Sequence, residues 1–222
     1  MAIRVPGNGA ERCGRLQSGA DALGVPLSDV QLDRLLAYVT LLERWNKVHN
    51  LSAIRDPDLM LTRHLLDSLA VVGPLRRYAA GRALRILDVG SGAGLPGVVW
   101  AVAEPEWLVT AIDAVEKKVA FVRQTVGELG LQNLLPVHGR IESAPTMTGF
   151  DVVASRAFAS LGDFIALTRG RLAVGGVWLA MKGALPKDEI AALGSGLDVF
   201  HVERLQVPGL AAERCLVWVR ER

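Results

Sequence analysis

At 222 residues, half of them hydrophobic, the chain has room for one ordinary domain with a modest extension and can fill a sizeable core, which excludes the disordered and low-complexity classes. A net charge of +2, with arginine supplying most of the cations, permits a nucleic-acid partner without demanding one, and arginine richness is as readily a compositional bias. Two distant cysteines, Cys13 and Cys215, without C-x-x-C spacing support neither a disulfide framework nor a metal site; with no signal peptide and no apolar run of membrane-spanning length, a cytoplasmic protein without membrane or metal is expected.

Residues 1–20 are rich in Gly, Arg and small residues and are expected to be frayed, with no visible function. Residues 21–80 read as a helical extension packed on a core formed by 81–222. In "PLSDVQLDRLLAYVTLLERWNKVHN", Leu32, Leu35, Leu36, Val39, Leu42 and Trp45 recur at helical spacing, with Ser28 or Asp29 placed to cap the start and Trp45 reading as core. "DPDLMLTRHLLDSLAVV" predicts a second helix, with Asp56 as cap and Pro57 in the first turn. Along it Arg63 and Asp67 lie one turn apart, as do His64 and Ser68. Two readings stand: a local salt bridge on a helix packed against the core, or a polar flank that closes a ligand pocket.

After residue 84 short β-rich runs alternate with helical ones, the pattern of a parallel sheet with crossover helices. The strands drawn are Arg85–Val89, Leu108–Ile112, Leu134–Val137, Asp151–Ala154, Val177–Met181, Val199–Gln206 and Arg214–Val219, with helices beginning at Gly97, Glu116, Leu161 and Lys187. The last two strands face each other across "VPGLAAE" without a helix, so the α/β sheet is expected to end in an antiparallel hairpin.

The first strand runs into "DVGSGAGLPG". A glycine turn at the carboxyl edge of a parallel sheet lets backbone N–H groups come close to a ligand. Asp88, Gly90, Ser91, Gly92 and Gly94 form the candidate cradle. The overlapping Gly92-x-Gly94-x-x-Gly97 is a nominal dinucleotide fingerprint, but its first glycine falls two residues late, behind a strand end already occupied by Asp88. Asp113, closing the second strand, is placed to accept hydrogen bonds from ribose hydroxyls, and in "GRIES" the Ile141 backbone and Glu142 are placed to flank an adenine.

The D-x-G-x-G-x-G turn, the acid closing strand two, the polar residue after strand three and the terminal hairpin together resemble a Rossmann-like class I S-adenosylmethionine-dependent methyltransferase. After strand four stands "SRAF", not the Asp/Asn-Pro-Pro-aromatic turn common among amine methylators, and neither Cys13 nor Cys215 is expected at a strand end near the cofactor, where pyrimidine C5 chemistry needs a nucleophilic thiol. An acceptor that already owns a lone pair, such as guanine N7, remains. Arg140, Arg156 and Lys182, at successive strand ends, are the candidate RNA and base-positioning cations.

In order, "NLSAIRDPDLMLTRHLLDSL", "DVGSGAGLPG", "SRAFASL", "LAMKG" and "LQVPGLAAERCLVW" are similar to the bacterial small-subunit ribosomal RNA methyltransferase G family, over roughly residues 25–220. The resemblance implies transfer of a methyl group from S-adenosylmethionine to N7 of one guanine in 16S ribosomal RNA. It implies cofactor contacts at Gly90, Leu95, Ile141, Glu142 and Arg156, to which the ribose argument adds Asp113, and RNA-facing cations at Arg140, Arg156 and Lys182. The partner would be 16S RNA or a small subunit and the protein a monomer; from its position before strand one, the flank bearing His64 is expected to pack on the core, to close the cofactor pocket or to touch RNA. A nicotinamide-dependent oxidoreductase and a non-catalytic RNA-binding module are the alternatives.

Overall fold

The computed structural model describes residues 9–144, 147–156, 158 and 160–222. Its centre is one seven-stranded sheet in the order β3-β2-β1-β4-β5-β7-β6, built from β1 (Arg85–Val89), β2 (Leu108–Asp113), β3 (Leu134–His138), β4 (Phe150–Ser155), β5 (Leu172–Lys182), β6 (Leu197–Leu205) and β7 (Arg214–Glu221). The strands from β1 to β5 pair in parallel; β7 lies antiparallel between β5 and β6, closing the expected hairpin. Helices cover both faces, so central strands such as Ile86–Val89 are buried on each side and read as near-continuous apolar runs.

The strand β5 begins at Leu172, not at the expected Val177. Phe150 pairs with Leu172, and a register shift then aligns Val152 with Val177. The glycines 175 and 176 hide this stretch from a propensity reading, and Gly176 has a steric reason to be there: a Cβ would lie 2.7 Å from the carbonyl oxygen of Phe150 and 3.2 Å from that of Asp151.

One face carries α6 (Gly97–Ala103) and α7 (Glu116–Leu129), the other α8 (Leu161–Thr168) and α9 (Lys187–Ala191). All four start where the sequence predicts. Before β1 come α1 (Gly9–Ala22), α2 (Asp29–His49), α3 (Pro57–Met60), a π-helical turn (Leu61–Leu66), α4 (Asp67–Leu69) and α5 (Val72–Ala79). Ser28 caps α2 in a reciprocal capping box with Gln31, and the Asp56 carboxylate accepts the Asp58 N–H at 2.9 Å.

Two expectations are corrected here. Residues 9–20, expected to be frayed, are helical: Leu16, Gly19 and Ala20 are buried, and Arg12 and Arg15 both pair with Asp58 at 3.1 and 3.0 Å. Gly19 serves packing, since a Cβ there would stand 2.7 Å from Leu66; the remainder of the expectation, over residues 1–8, lies outside the described residues. The second predicted helix is also not a regular one, because the π-helical turn interrupts it and changes which side chains meet.

These N-terminal elements dock on α6 through polar contacts as well as apolar ones. The Gln31 amide donates to the carbonyls of Val102 and Ala103 at 2.9 and 3.0 Å, satisfying the end of α6, and the Trp100 indole donates to the Ser68 carbonyl at 3.0 Å. The buried Tyr38 hydroxyl donates to the Ala93 carbonyl at 2.9 Å, tying α2 to the glycine turn. Among the described residues no helix is long and apolar enough to cross a membrane.

Replacing Gly176 with Ala drives a Cβ against three carbonyl oxygens, those of Phe150, Ala173 and Asp151, so it should destabilise by about 1–3 kcal/mol, read as a fall of several degrees in Tm by calorimetry. An unchanged Tm would mean that the β4–β5 register yields freely.

Candidate active site

Strand order reverses around β1, with β2 on one side and β4 on the other, and the crevice at that switch point is where open parallel sheets take ligands. The turn leaving β1 holds Gly90, Gly92 and Gly94 at φ of +71°, +59° and +81°, a region that side-chain-bearing residues enter at a cost. Gly90 and Ser91 both donate to the Ile112 carbonyl, and Gly94 and Leu95 to that of Ser91. Gly92 N–H donates to Asp113 Oδ2 at 2.8 Å. The expectation that backbone N–H groups here come close to a ligand is corrected: five of them, on Gly90, Ser91, Gly92, Gly94 and Leu95, are held by the protein, and the turn offers the crevice bare backbone instead. At Gly92 a Cβ would meet no heavy atom within 4 Å, so this surface is open.

Two carboxylates shape the turn from below. Asp113 accepts from Gly92 on one oxygen and from Val115 N–H on the other, each at 2.8 Å, leaving one lone pair per oxygen for a ligand. Asp88 does not line the crevice. It is 1% exposed beneath the turn, its Oδ2 accepts the Gly97 N–H at 2.9 Å, and its Oδ1 has no partner among the described residues. Burial pushes its carboxyl up to about 7, against the opposing pull of the Gly97 N–H and the Arg156 charge.

Three clefts follow one another along the edge. The first, of about 220 Å³, is lined by Gly90, Asp113, Arg140, Ile141 and Glu142, with Phe158 and Leu167 as apolar wall. The second, of about 250 Å³, is lined by Leu51, Ser52, His64, the turn from Gly90 to Ala93, Leu95, Lys118 and Arg156. The third, of about 320 Å³, is basic: Arg63, Arg156, Lys182 and Arg214 surround it with His64 and Asp67. Gly90 is common to the first two, and His64 and Arg156 to the last two.

The predicted site residues therefore divide. Arg140 borders the first cleft, whereas Arg156 and Lys182 meet in the third. Lys182 is paired, its ammonium bonded to both Glu189 oxygens at 3.1 and 2.8 Å. Arg63 and Asp67 do not form the expected local salt bridge, because Asp67 turns to Arg214 at 2.6 Å and to Arg156 at 3.6 Å. Nor do the His64 and Ser68 side chains pair: the Ser68 hydroxyl donates to the His64 carbonyl. The His64 ring donates from Nδ1 to the Arg63 carbonyl, and its Nε2 accepts the Ser52 hydroxyl at 2.9 Å, since the neutral ring carries its one proton on Nδ1. Burial, helped by the Arg156 charge, pushes this imidazole down to about 4, so it is neutral at physiological pH.

Cys215 requires a further correction. It stands at the carboxyl edge, opposite Lys182 in the β5–β7 ladder, but its side chain is buried in the core on the α8 side, and burial pushes the thiol up, away from a thiolate. Arg214 was missed by sequence reasoning, for no spacing rule connects it to Asp67 across 147 positions.

Fold and crevice together define a class I S-adenosylmethionine-dependent methyltransferase. Solved structures with the same fold include TrmN from Thermus thermophilus (TM-score 0.55, 19% identity, 73% of this chain and 53% of that one). Another is the ribosomal protein L11 methylase from Lactobacillus delbrueckii subsp. bulgaricus (TM-score 0.53, 17% identity, 70% and 78%). The chain belongs to the rRNA small subunit methyltransferase G family, whose profile matches residues 31–217. It is 58% identical to the ribosomal RNA small subunit methyltransferase G of Leptothrix cholodnii, over 93% of this chain and 94% of the relative. With that of Methylibium petroleiphilum it shares 56%, over 93% of each. Membership does not favour the nicotinamide-dependent or the non-catalytic alternative.

Asp88 supplies a pH test. Its native carboxyl binds a proton more tightly than in the unfolded chain, so its contribution to stability is present at low pH and is lost as pH rises from about 4 through about 7. Asp88→Asn should therefore gain Tm relative to the parent at pH 8 compared with pH 5, the Asn oxygen still accepting from Gly97. An equal difference at both pH values would show that Asp88 titrates normally.

Proposed function

We propose that the chain transfers the methyl group of S-adenosylmethionine to N7 of a guanine in 16S ribosomal RNA, acting as a monomer on the RNA or on the small subunit. The observation that carries this reading is the position of Arg156, which borders both the cleft beside the glycine turn and the basic cleft next to it. One side chain thus stands where a cofactor space meets a space suited to a polyanion.

The residues present fit the cofactor. The open surface at Gly92 gives room for close approach, and the unused lone pairs of Asp113 suit hydroxyl donors. The backbone from Gly90 to Leu95 with Ser91, Gly92 and Gly94 would hold its middle, and Ile141 with Glu142 would border its ring. Asp88 would act from beneath by fixing where α6 begins. When bound, S-adenosylmethionine supplies a sulfonium-activated methyl group.

What remains for the chain is positioning. Guanine N7 carries its own lone pair, so no side chain has to remove a proton. Alignment contributes up to about 7–11 kcal/mol in favourable intramolecular models, and the walls of the crevice exclude water. Arg156 and Lys182 face the acceptor, and donors of Arg156 suit an oxygen such as guanine O6 or a phosphate. Arg140, at the far cleft, is a rim contact to RNA in this reading.

Purified protein, labelled S-adenosylmethionine and small subunits or 16S RNA from cells lacking the modification should yield label at N7 of a single guanine; label on another base, or none, would defeat the proposal. Arg156→Ala should lower methylation by about a hundredfold or more with the melting curve retained. Near-normal turnover would remove Arg156 from the site.

A further inference from the structure

The basic cleft contains a group whose charge is wrong for its place. Asp67 is 2% exposed and projects among Arg63, Arg156, Lys182 and Arg214, in a space that otherwise attracts anions. Its two oxygens are divided between strands that are far apart in sequence. Oδ1 accepts from Arg214 Nε at 2.6 Å, at the start of β7, and Oδ2 faces Arg156 Nη1 at 3.6 Å, just past the end of β4. The π-helical turn directly precedes Asp67 and delivers it to these partners instead of to Arg63. Arg214 spends one further donor, Nη1, on the Glu213 carbonyl at 2.8 Å. Its guanidinium is thereby held at two points, while Nη2 has no partner among the described residues. Arg156, beyond hydrogen-bond length from Asp67, has its donors unengaged among the described residues. Lys182 is neutralised by Glu189 and contributes less charge than its place suggests.

Resting on the function proposed above, we infer that the basic cleft is the subsite for a backbone phosphate of the acceptor nucleotide, with Arg214 as the phosphate-contacting residue and Asp67 as the positioning residue that aims Arg214 and Arg156. A guanidinium fixed through Nε and one amino group presents the other amino group in a defined direction, which suits a phosphate oxygen. An arginine without such a brace samples many rotamers, and ordering it on binding costs entropy. The carboxylate thus weakens the long-range attraction of the cleft slightly and improves the aim of its donors.

The two roles of a carboxylate here predict opposite signs. If Asp67 matters only as charge, Asp67→Asn makes the cleft more positive and tightens RNA binding. If it positions the arginines, the same substitution loosens RNA binding despite the gain in positive charge. The experiment measures equilibrium binding of protein-free 16S RNA transcript by filter retention over a KCl series, for the parent, Asp67→Asn, Arg214→Gln and Arg214→Lys. Binding of S-adenosylmethionine is measured in parallel by calorimetry to report the folded crevice. Arg214→Gln should reduce the slope of log K against log[KCl] by roughly 0.7, one phosphate contact on a single strand, with cofactor affinity unchanged. Arg214→Lys should restore the slope but not the full affinity.

Tighter RNA binding by Asp67→Asn, or a slope unaltered in Arg214→Gln, overturns the inference. Should Asp67→Asn fail to fold, the Arg214 pair decides alone. Because the salt slope is read without turnover, its failure is distinct from failure of the N7 assignment, which the position of the label decides.

Discussion

The crevice depends on a pair of buried carboxylates that hold a side-chain-free turn in place. Asp88 takes the first N–H of α6 and Asp113 takes that of Gly92, so the glycine turn is clamped to β1 on one side and to β2 on the other. A turn with three residues at positive φ has no regular ladder of its own, and without Asp88 the buried Gly97 N–H would lose its acceptor, at about 1–3 kcal/mol. The cost of the arrangement is visible at Asp88 Oδ1, which has no partner among the described residues and whose burial makes ionisation unfavourable. Tyr38 adds a third anchor by holding the Ala93 carbonyl, which makes the N-terminal helices part of the site's frame.

Charge along the edge is graded by the same economy of partners. Beside the glycine turn Asp113 accepts two N–H groups and faces Lys118 at 3.7 Å, and His64 is kept uncharged between Ser52 and the Arg63 carbonyl. In the neighbouring cleft arginines dominate, restrained by Asp67. A compact cationic cofactor and an extended polyanion ask for different environments, and in the function proposed here Arg156, which lines both clefts, stands between them.

Much of this was legible in the sequence because it is encoded locally. The bounds of β1, the starts of four helices, a cap at Ser28 or Asp29 and the Asp56 cap rest on neighbours within a few residues, where periodicity and cap chemistry hold; the structure chooses Ser28. What escaped was set by tertiary contact. Gly14 and Gly19 made α1 look frayed, but the absence of a Cβ at Gly19 is what admits Leu66. Spacing paired Asp67 with Arg63, and the π-helical turn and two distant arginines overrode it. Lys182 looked like an unneutralised cation because Glu189, on the short α9, follows a strand end whose geometry the sequence does not show.

The place of β7 bears on how the molecule is assembled. The clamps on the turn join residues 9 and 21 positions apart, so the nucleoside end of the crevice closes over short loops once β2 has paired. The Asp67–Arg214 contact spans 147 positions and waits for β7 to slip between β5 and β6, a closure that contact-order arguments place among the slow ones. A nascent chain emerging from the ribosome thus acquires the walls of one half well before the other, and the phosphate contact proposed for Arg214 forms only once the last strand has inserted.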